Sequence, residues 1–322
     1  MEVSTLSVSH AAKNKKMAGS RWLAAVTFVA IAAVAMAVGL GLAPTALRAQ
    51  EAPIVPVTPQ NMDLSKDAAF PAYRIIGNVY FVGSKNLCSF LIKTDEGLIL
   101  VNSGFEQTVP LIQASIEKLG FRMQDIKIIL SSHAHPDHIG GTMRMKMLTG
   151  ARVLMMDADA DVATSGGRDF MSANATYPPI TVDQILHDGD EVKLGGVVLV
   201  AHKTPGHTKG CTTWTFKTAE NGHDYNVVII GSMSATPPYK LVGNAKYPNI
   251  ADDFAYTYRA MKMLSCDVPL GAHPFFYGME VKYLRLQEHP AVNPFIDPDG
   301  YRKSIDEEEK VYLDKLTKEM NP

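Results

Sequence analysis

Beyond residue 73 the chain alternates between short apolar runs and polar breaks, the pattern of β-strands separated by turns. Residues 74–82 and 88–94 alternate or run apolar, and Gly77-Asn78 places a turn signal within the first of them. Residues 97–104 form a continuous apolar run that ends in small polar residues, which is typical of a strand buried on both faces. The pattern therefore predicts that a buried β-sheet begins here.

Helix and strand patterns then alternate along the chain. Apolar positions recur at helical spacing over 107–120, and residues 126–132 form another apolar strand. A second helix ends at Gly150, and a further strand covers 151–156. Residues 157–183, which contain paired glycines and prolines, are interpreted as a loop. This succession of elements is typical of an α/β fold.

Strands dominate the second half of the chain, and a first hairpin is predicted over 188–204 with its turn at Gly195-Gly196. Two further strands are predicted at 211–218 and 224–232, followed by a helix at 252–265. A last strand covers 268–274, and a charged C-terminal helix begins at 306. We therefore predict an αββα sandwich, in which two mixed β-sheets pack together and carry helices on both outer faces.

Residues 1–49 differ from the rest of the chain and are excluded from the predicted fold. Four basic residues between positions 13 and 21 precede an uncharged apolar run, 22–43, and small residues follow as far as Ala49. This order describes an export signal, so we expect cleavage near Ala49 and a periplasmic domain over 50–322. Because about 20 apolar residues can span a bilayer, an uncleaved membrane anchor is the alternative.

Composition narrows the classes of function. A chain of 322 residues with 46% hydrophobic and 20% charged residues fits a globular protein. A formal net charge of −2 provides no basic surplus, which argues against binding to nucleic acid or to anionic lipid. The three cysteines, Cys88, Cys211 and Cys266, lack CxxC spacing, so a zinc ribbon is excluded and at most one disulfide can form. We expect them to be buried as small apolar residues.

The stretch SSHAHPDHIG, residues 131–140, contains the densest group of histidines in the sequence. Three of the ten histidines, His133, His135 and His138, lie in six consecutive positions beside Asp137, where the predicted strand ends. Imidazole and carboxylate are the ligands that zinc and similar metals prefer. A polar loop whose imidazoles cap the backbone is the alternative, but such a dense cluster predicts a metal site.

A single loop rarely completes a zinc site, so further ligands are expected from later in the chain. His207 follows a strand directly after Pro205 and Gly206, which indicate a tight turn, and His273 also lies at a strand end. These two histidines are therefore the candidate distant ligands. His202 lies within a strand close to His207 and is interpreted as a structural imidazole.

The run HAHPDH, with His207 and His273, resembles the H-x-H-x-D-H pattern of the metallo-β-lactamase superfamily. That superfamily also includes thioesterases, lactonases and nucleases, so the motif alone does not define the reaction. After the strand VVIIG, many of its hydrolases have a metal-bridging aspartate and other lactamase subclasses a cysteine, whereas this chain has Ser232. A serine there, together with three loop histidines, resembles subclass B3 of the metallo-β-lactamases.

The resemblance covers roughly residues 60–320 and implies a metallo-β-lactamase fold in one catalytic domain over 50–322. Further matching stretches are SGGRDF, YPPITVDQILHDGD, AHKTPGHT, YPNIADDF and NPFIDPDGYR. One departure is Asn102, where the family usually has an acid, so a contact to the metal loop should differ or be lost and the metal affinity change. Another is Cys266, which no later cysteine can pair with.

The resemblance also implies two zinc ions per chain. His133, His135 and His207 would hold the first ion, and Asp137, His138 and His273 the second. Six nitrogen and oxygen ligands are too many for one tetrahedral ion, whereas three each leave every ion an open position. Because zinc lowers the pKa of its water to about 7, a hydroxide held there would open the β-lactam ring, oriented by Asp137 as the catalytic residue.

Two serines are candidates for substrate binding. Ser232 and Ser234 lie on the loop expected to face the substrate and could donate hydrogen bonds to its carboxylate, although plain loop hydroxyls are the alternative. Other residues could line the cleft, with ordinary packing favoured for each of them: Tyr177, residues 178–180, Phe275 and Phe276.

The predicted function is therefore a zinc-dependent β-lactam hydrolase that confers antibiotic resistance and has small-molecule β-lactams as its partners. The alternative is a metal-dependent lactone or thioester hydrolase of the same superfamily. A metal-binding relative without turnover is disfavoured because all six ligands are present. We expect no nucleic acid partner and membrane contact only through the N-terminal segment, and the oligomeric state stays open.

Overall fold

The computed structural model describes residues 62–64, 67–235 and 238–321. The predicted export signal or anchor, residues 1–49, lies outside these described residues, so it stays a prediction, as does the domain boundary that follows it. Among the helices in the described part, none combines the length and apolar character that a membrane span requires.

Seven strands form the first sheet. They are β1 (Tyr73–Ile76), β2 (Val79–Phe81), β3 (Phe90–Thr94), β4 (Gly97–Val101), β5 (Ile126–Leu130), β6 (Arg152–Met156) and β7 (Gln184–Leu186). Their spatial order follows the sequence, with antiparallel pairs from β1 to β4 and parallel pairs from β4 to β7. The sheet is therefore mixed, as predicted.

Five strands form the second sheet. They are β8 (Glu191–Leu194), β9 (Val197–Lys203), β10 (Thr212–Glu220), β11 (His223–Ile230) and β12 (Val268–Gly271). Their order is β12-β11-β10-β9-β8, and only the β11–β12 pair is parallel. The helices of the described residues are α1 (Val109–Lys118), α2 (Pro136–Ile139), α3 (Thr142–Thr149), α4 (Asp157–Thr164), α5 (Ile250–Met263), α6 (Met279–Glu288) and α7 (Pro298–Met320). These elements confirm the predicted class of two mixed sheets with helices.

Strand β4 shows why its sequence is apolar throughout. Ile99 and Val101 belong to the core cluster that also contains Trp214 of the second sheet. The alternate residues, Leu98 and Leu100, belong to a second cluster on the other face. Helix α1 closes that second cluster with three residues at helical spacing, Val109, Ile112 and Ile116. A strand covered on both faces needs apolar side chains at every position.

Three helices differ from the sequence prediction. Helix α4 occupies 157–164, within the segment predicted as a loop; acids in its first turn favour the helix dipole, although its apolar residues are small. Helix α7 begins at Pro298 rather than near 306, because the Asp297 side chain caps it by accepting from the Gly300 N–H at 2.9 Å. Helix α6 was not predicted.

Candidate metal centre

The metal loop, residues 131–138, leaves the carboxyl end of β5 and is held by contacts from both sheets. The Ser132 N–H donates to Asn102 Oδ1 at 2.8 Å, beside the first sheet. The indole N–H of Trp214, on β10, donates to the Ser131 carbonyl at 3.0 Å. Helix α2 then begins at Pro136, which fits the first turn of a helix because proline has no N–H to satisfy. Contacts from the protein itself therefore fix the backbone of the metal loop.

Asn102 contacts the metal loop through its side chain. From the sequence we expected this contact to differ or be lost, and the structure shows that it is kept with an amide in place of the usual acid. Its backbone is left-handed, with φ 65°, a region that asparagine tolerates better than most residues. While Oδ1 accepts from Ser132, the Nδ2 group donates to the Cys88 carbonyl at 3.3 Å. An amide uses both a donor and an acceptor here, so the buried Asn102 side chain fits its surroundings.

His133, His135 and His207 form the first group, with one candidate ligand atom from each within 4.8 Å of the others. His207 reaches this position because the loop after β9 turns sharply at Gly206, whose φ is 124°. A Cβ on Gly206 would lie 2.7 Å from the ring of Phe254, so no other residue fits without displacement.

Asp137, His138 and His273 form the second group. Asp137 Oδ2 lies 3.1 Å from His138 Nε2 and 3.7 Å from His273 Nε2, and the two Nε2 atoms are 3.2 Å apart. Ligands of a tetrahedral zinc ion with bonds of about 2.0–2.1 Å lie about 3.3 Å apart. The second group therefore has the spacing that a small divalent ion requires.

Hydrogen bonds fix which ring nitrogen is available in two of the histidines. Nδ1 of His207 lies 3.0 Å from the Ser234 carbonyl, and Nδ1 of His273 lies 3.1 Å from the Asn86 carbonyl. Since a carbonyl can only accept, each Nδ1 carries the proton and Nε2 keeps its lone pair for another partner. Burial lowers the pKa of both rings, that of His273 to about 4, so they are neutral at pH 7.

Buried polar atoms in the groups also fit a metal. Nε2 of His133 and Nε2 of His135 have no hydrogen-bond partner among the described residues. Burial lowers the pKa of His133 and His135, which keeps their lone pairs free. Burial opposes ionisation of Asp137, but the neighbouring His138 keeps the pKa of that carboxyl below its usual range. Neutral imidazoles and one carboxylate are the forms in which these residues bind divalent metals.

The structure brings together all six residues that the sequence predicted as ligands, in the predicted division into two groups. The groups adjoin, because the rings of His133 and His138 are 4.2 Å apart between centroids. His202 belongs to neither group; its Nε2 hydrogen-bonds Thr215 Oγ1 at 2.8 Å on the adjacent strand. That these six residues hold zinc stays a prediction.

The predicted substrate and cleft residues lie around these groups. Ser232 and Ser234 are buried on the loop after β11, and the Ser234 N–H approaches Ser232 Oγ at 3.4 Å. The ring of Phe275 stacks on that of His273, with centroids 5.3 Å apart. Of the other predicted cleft residues, Tyr177, Ile180 and Phe276 are buried in the core clusters, and the Tyr177 hydroxyl also donates to the Ala134 carbonyl. Residues 178 and 179 are exposed.

The three cysteines are free, with Cys88 and Cys211 buried and Cys266 partly buried. Burial raises the pKa of all three thiols, that of Cys266 to about 12, so none is ionised at neutral pH. This agrees with their predicted role as small buried residues.

Three residues near the groups had not been identified from the sequence. Asp169 Oδ2 lies 4.0 Å from His135 Nε2. The ring of Tyr239 lies 5.1 Å from that of His207, and its buried hydroxyl has no partner among the described residues. Asp159 is buried behind the metal loop. Each lies far along the chain from the histidine motif, so no local pattern could mark it.

Comparison with known proteins agrees with this geometry. The family model described as Metallo-beta-lactamase superfamily matches residues 88–219. The native FEZ-1 metallo-β-lactamase of Legionella gormanii is 45% identical with a TM-score of 0.78, over 80% of this chain and 99% of that one. BJP-1 of Bradyrhizobium japonicum, a subclass B3 metallo-β-lactamase, is 34% identical with a TM-score of 0.75, over 79% of this chain and 96% of that one.

Curated relatives match a shorter part. A hydroxyacylglutathione hydrolase of Methylobacterium sp. (strain 4-46) is 31% identical over 133 residues, 40% of this chain and 46% of that one. A probable metallo-hydrolase of Burkholderia pseudomallei is 27% identical over 152 residues, 46% of this chain and 50% of that one. The chain thus spans half or less of the length of these curated relatives.

The chain belongs to the metallo-β-lactamase superfamily, since a solved member, FEZ-1, is 45% identical to it over 99% of the FEZ-1 chain. Within that superfamily the solved structures that it resembles include subclass B3 metallo-β-lactamases. Membership implies that the chain binds divalent metal, for which the two groups are the candidate ligands.

Proposed function

We propose that the protein is a dizinc β-lactamase that hydrolyses the cyclic amide of β-lactam antibiotics. The observation that carries this proposal is the likeness to FEZ-1, 45% identity over 99% of that chain, in a molecule that assembles both ligand groups. Ser232, where other members have an acid or a cysteine, supports the same assignment.

Zinc ions in the two groups would lower the pKa of water to about 7 and polarise the scissile carbonyl. The chain's own residues prepare the site for this chemistry. The neutral rings of His133, His135 and His207 supply lone pairs on one side, and the ionised Asp137 carboxylate accepts a hydrogen bond from the attacking water and orients it. Because each group provides three ligands, a tetrahedral ion held by them would have room for water or substrate.

The substrate side of the proposal rests on the loop after β11. The Ser234 carbonyl accepts from His207, so this loop lies directly against the first group. In our proposal the hydroxyls of Ser232 and Ser234 donate hydrogen bonds to the carboxylate that β-lactams carry. The buried hydroxyl of Tyr239, beside His207, is in our proposal a further donor for the substrate, since it has no partner among the described residues and an unsatisfied buried hydroxyl is costly.

A thioester hydrolase is the second candidate, because the curated relatives include hydroxyacylglutathione hydrolases. That similarity covers 40% of the chain, whereas the likeness to FEZ-1 covers 80%. The β-lactamase assignment is therefore the better supported of the two.

The experiment is to measure hydrolysis of a carbapenem, a cephalosporin and a hydroxyacylglutathione thioester by the purified protein, with added zinc and after chelation. We expect β-lactam turnover that chelation abolishes and zinc restores. His207→Ala should lose this turnover, while His202→Ala, a histidine outside both groups, should keep it. Turnover of the thioester alone would overturn the proposal in favour of the second candidate.

The predicted export signal leads to a further part of the proposal, that the enzyme acts in the periplasm and confers resistance. A susceptible Gram-negative bacterium that expresses the full chain should survive higher β-lactam concentrations than one that expresses residues 50–322 alone. Equal survival of the two strains would contradict the periplasmic location.

A further inference from the structure

Asp159 presents a buried carboxylate to three hydrogen-bond donors. It lies in the first turn of α4, where its side chain is 1% exposed. Its Oδ2 accepts from the Ala134 N–H and from the Thr208 hydroxyl, both at 2.8 Å, and Oδ1 accepts from the Gly210 N–H at 2.8 Å. Hydrogen bonds to an ionised carboxylate are stronger than those between neutral groups, so this is a firm attachment.

The partners of Asp159 belong to the two loops that carry the first group. Ala134 lies between His133 and His135 in the metal loop, and Thr208 directly follows His207. A single carboxylate therefore fastens the metal loop to the loop after β9. Two of its partners, Ala134 and Thr208, are next in sequence to the three histidines, and the third, Gly210, lies in the same loop as His207.

The backbone around Asp159 is shaped for this contact. A Cβ on Gly210 would lie 2.5 Å from the Asp159 backbone nitrogen and 2.8 Å from its Cβ, closer than atoms can approach. Only glycine at position 210 lets the loop after β9 reach the carboxylate. Burial raises the pKa of Asp159 to about 6, so the carboxyl is ionised at pH 8.

An amide at position 159 could not replace the carboxylate. Both Ala134 and Gly210 offer backbone N–H groups, which can only donate, and they approach different oxygens of Asp159. Whichever way an asparagine turned, its NH₂ group would face one of these N–H groups. One of these two backbone N–H groups would lose its acceptor and become a buried unsatisfied donor, so the connection between the two loops would be weakened.

We propose that Asp159 is a positioning residue for the first group, holding the loop of His133 and His135 against the loop of His207 at the separation that a metal ion requires. The proposal rests on the proposed function only in that this group binds a metal ion. It predicts a defect confined to one of the two groups, which a general loss of packing would not produce.

The test measures zinc and cobalt affinity at pH 8 by competition with a chromophoric chelator, using the full chain. Two backgrounds separate the groups: His273→Ala leaves the first group intact, and His207→Ala leaves the second. Asp159→Asn is introduced into each background. Asp157→Asn serves as the matched control, because Asp157 lies on the same helix but pairs with Lys203 at the surface.

In the His273→Ala background, Asp159→Asn should weaken metal binding by about 10- to 100-fold, the usual effect of losing a residue that orients ligands. In the His207→Ala background it should change the affinity by less than about threefold, and Asp157→Asn should have no effect in either. Unchanged affinity of the first group, or equal loss in both groups, would overturn the proposal.

Thr208→Val provides a second test should Asp159→Asn fail to fold, as judged by circular dichroism. It removes one donor to Asp159 and keeps the volume of the side chain. We expect a several-fold loss of affinity in the first group alone, and wild-type affinity there would refute the positioning role. Because the readout is metal affinity, a lack of β-lactam turnover would refute the proposed function and leave this result standing.

Discussion

Replacing Asn102 by alanine tests how strongly the metal loop is held before metal binds. The substitution removes Oδ1, which accepts from the buried Ser132 N–H, and places a Cβ-bearing residue without polar atoms at φ 65°. An unsatisfied buried N–H costs about 1–3 kcal/mol, and the left-handed backbone costs alanine about 1–2 kcal/mol. We therefore expect Asn102→Ala to lower the free energy of unfolding by about 2–5 kcal/mol.

A second asparagine separates the two contributions. Asn221 also has a positive φ, 54°, but it is exposed in the turn between β10 and β11. Asn221→Ala should therefore cost only the left-handed backbone term, about 1–2 kcal/mol. The difference between the two variants, about 1–3 kcal/mol, measures what the contact to Ser132 contributes.

The assay is urea denaturation of the chelated protein, followed by zinc titration of each variant that folds. Working without metal keeps the stability of the loop apart from the stabilisation that zinc adds. If the two alanine variants differ by less than about 0.5 kcal/mol, the Asn102 side chain does not hold the loop and the reasoning fails. Loss of zinc affinity in Asn102→Ala but not in Asn221→Ala would show that the contact also serves the metal centre.

Three further changes test separate features. Burial raises the pKa of Glu308 from 4.5 to about 7, so folding disfavours the ionised carboxylate and the free energy of unfolding falls as the pH rises between these values. Denaturation should therefore show that Glu308→Gln stabilises the protein by about 1–3 kcal/mol at pH 8 and not at pH 4. Tyr239→Phe removes a buried hydroxyl that has no partner among the described residues, so the free energy of unfolding should rise by about 1 kcal/mol. The kcat/KM for β-lactams should fall about tenfold, and unchanged kinetics would exclude the role of this hydroxyl as a donor. Gly206→Ala should push against Phe254 and weaken zinc binding about tenfold or more. Gly222→Ala, whose added Cβ meets nothing within 4 Å, should leave zinc binding unchanged, and zinc titration of both variants tests this difference.

The parts of the fold that could be predicted are those whose cause is local. Strand β4 could be recognised because burial on both faces demands apolar residues throughout, and the core clusters on its two sides provide that burial. Helix α4 could not, because DADADVAT has no large apolar residue to mark a buried stripe. The early start of α7 was also hidden, since the Asp297 cap precedes the charged run by several residues.

The same distinction explains the metal centre. His133, His135, Asp137 and His138 stand out because ligand chemistry is a property of the residue type, and four ligands within six positions need no knowledge of the fold. His207 and His273 could be added because each follows a strand, and strand ends bring distant residues together. Local chemistry and strand ends indicated the six candidate ligands, and the resemblance to the metallo-β-lactamase superfamily implied their division into two groups.

Asp159 could not be identified in this way, because its importance depends on its surroundings. It is one of three alternating aspartates, with Asp157 and Asp161, and nothing in the local pattern separates them. Only Asp159 is buried, and its partners lie 25, 49 and 51 positions away along the chain. A residue that supports ligands from behind needs only the right donors around it, and these are set by tertiary packing. The contrast between Asp159→Asn and Asp157→Asn therefore tests environment against residue type, since the two aspartates share a side chain and a helix but differ in burial and in partners.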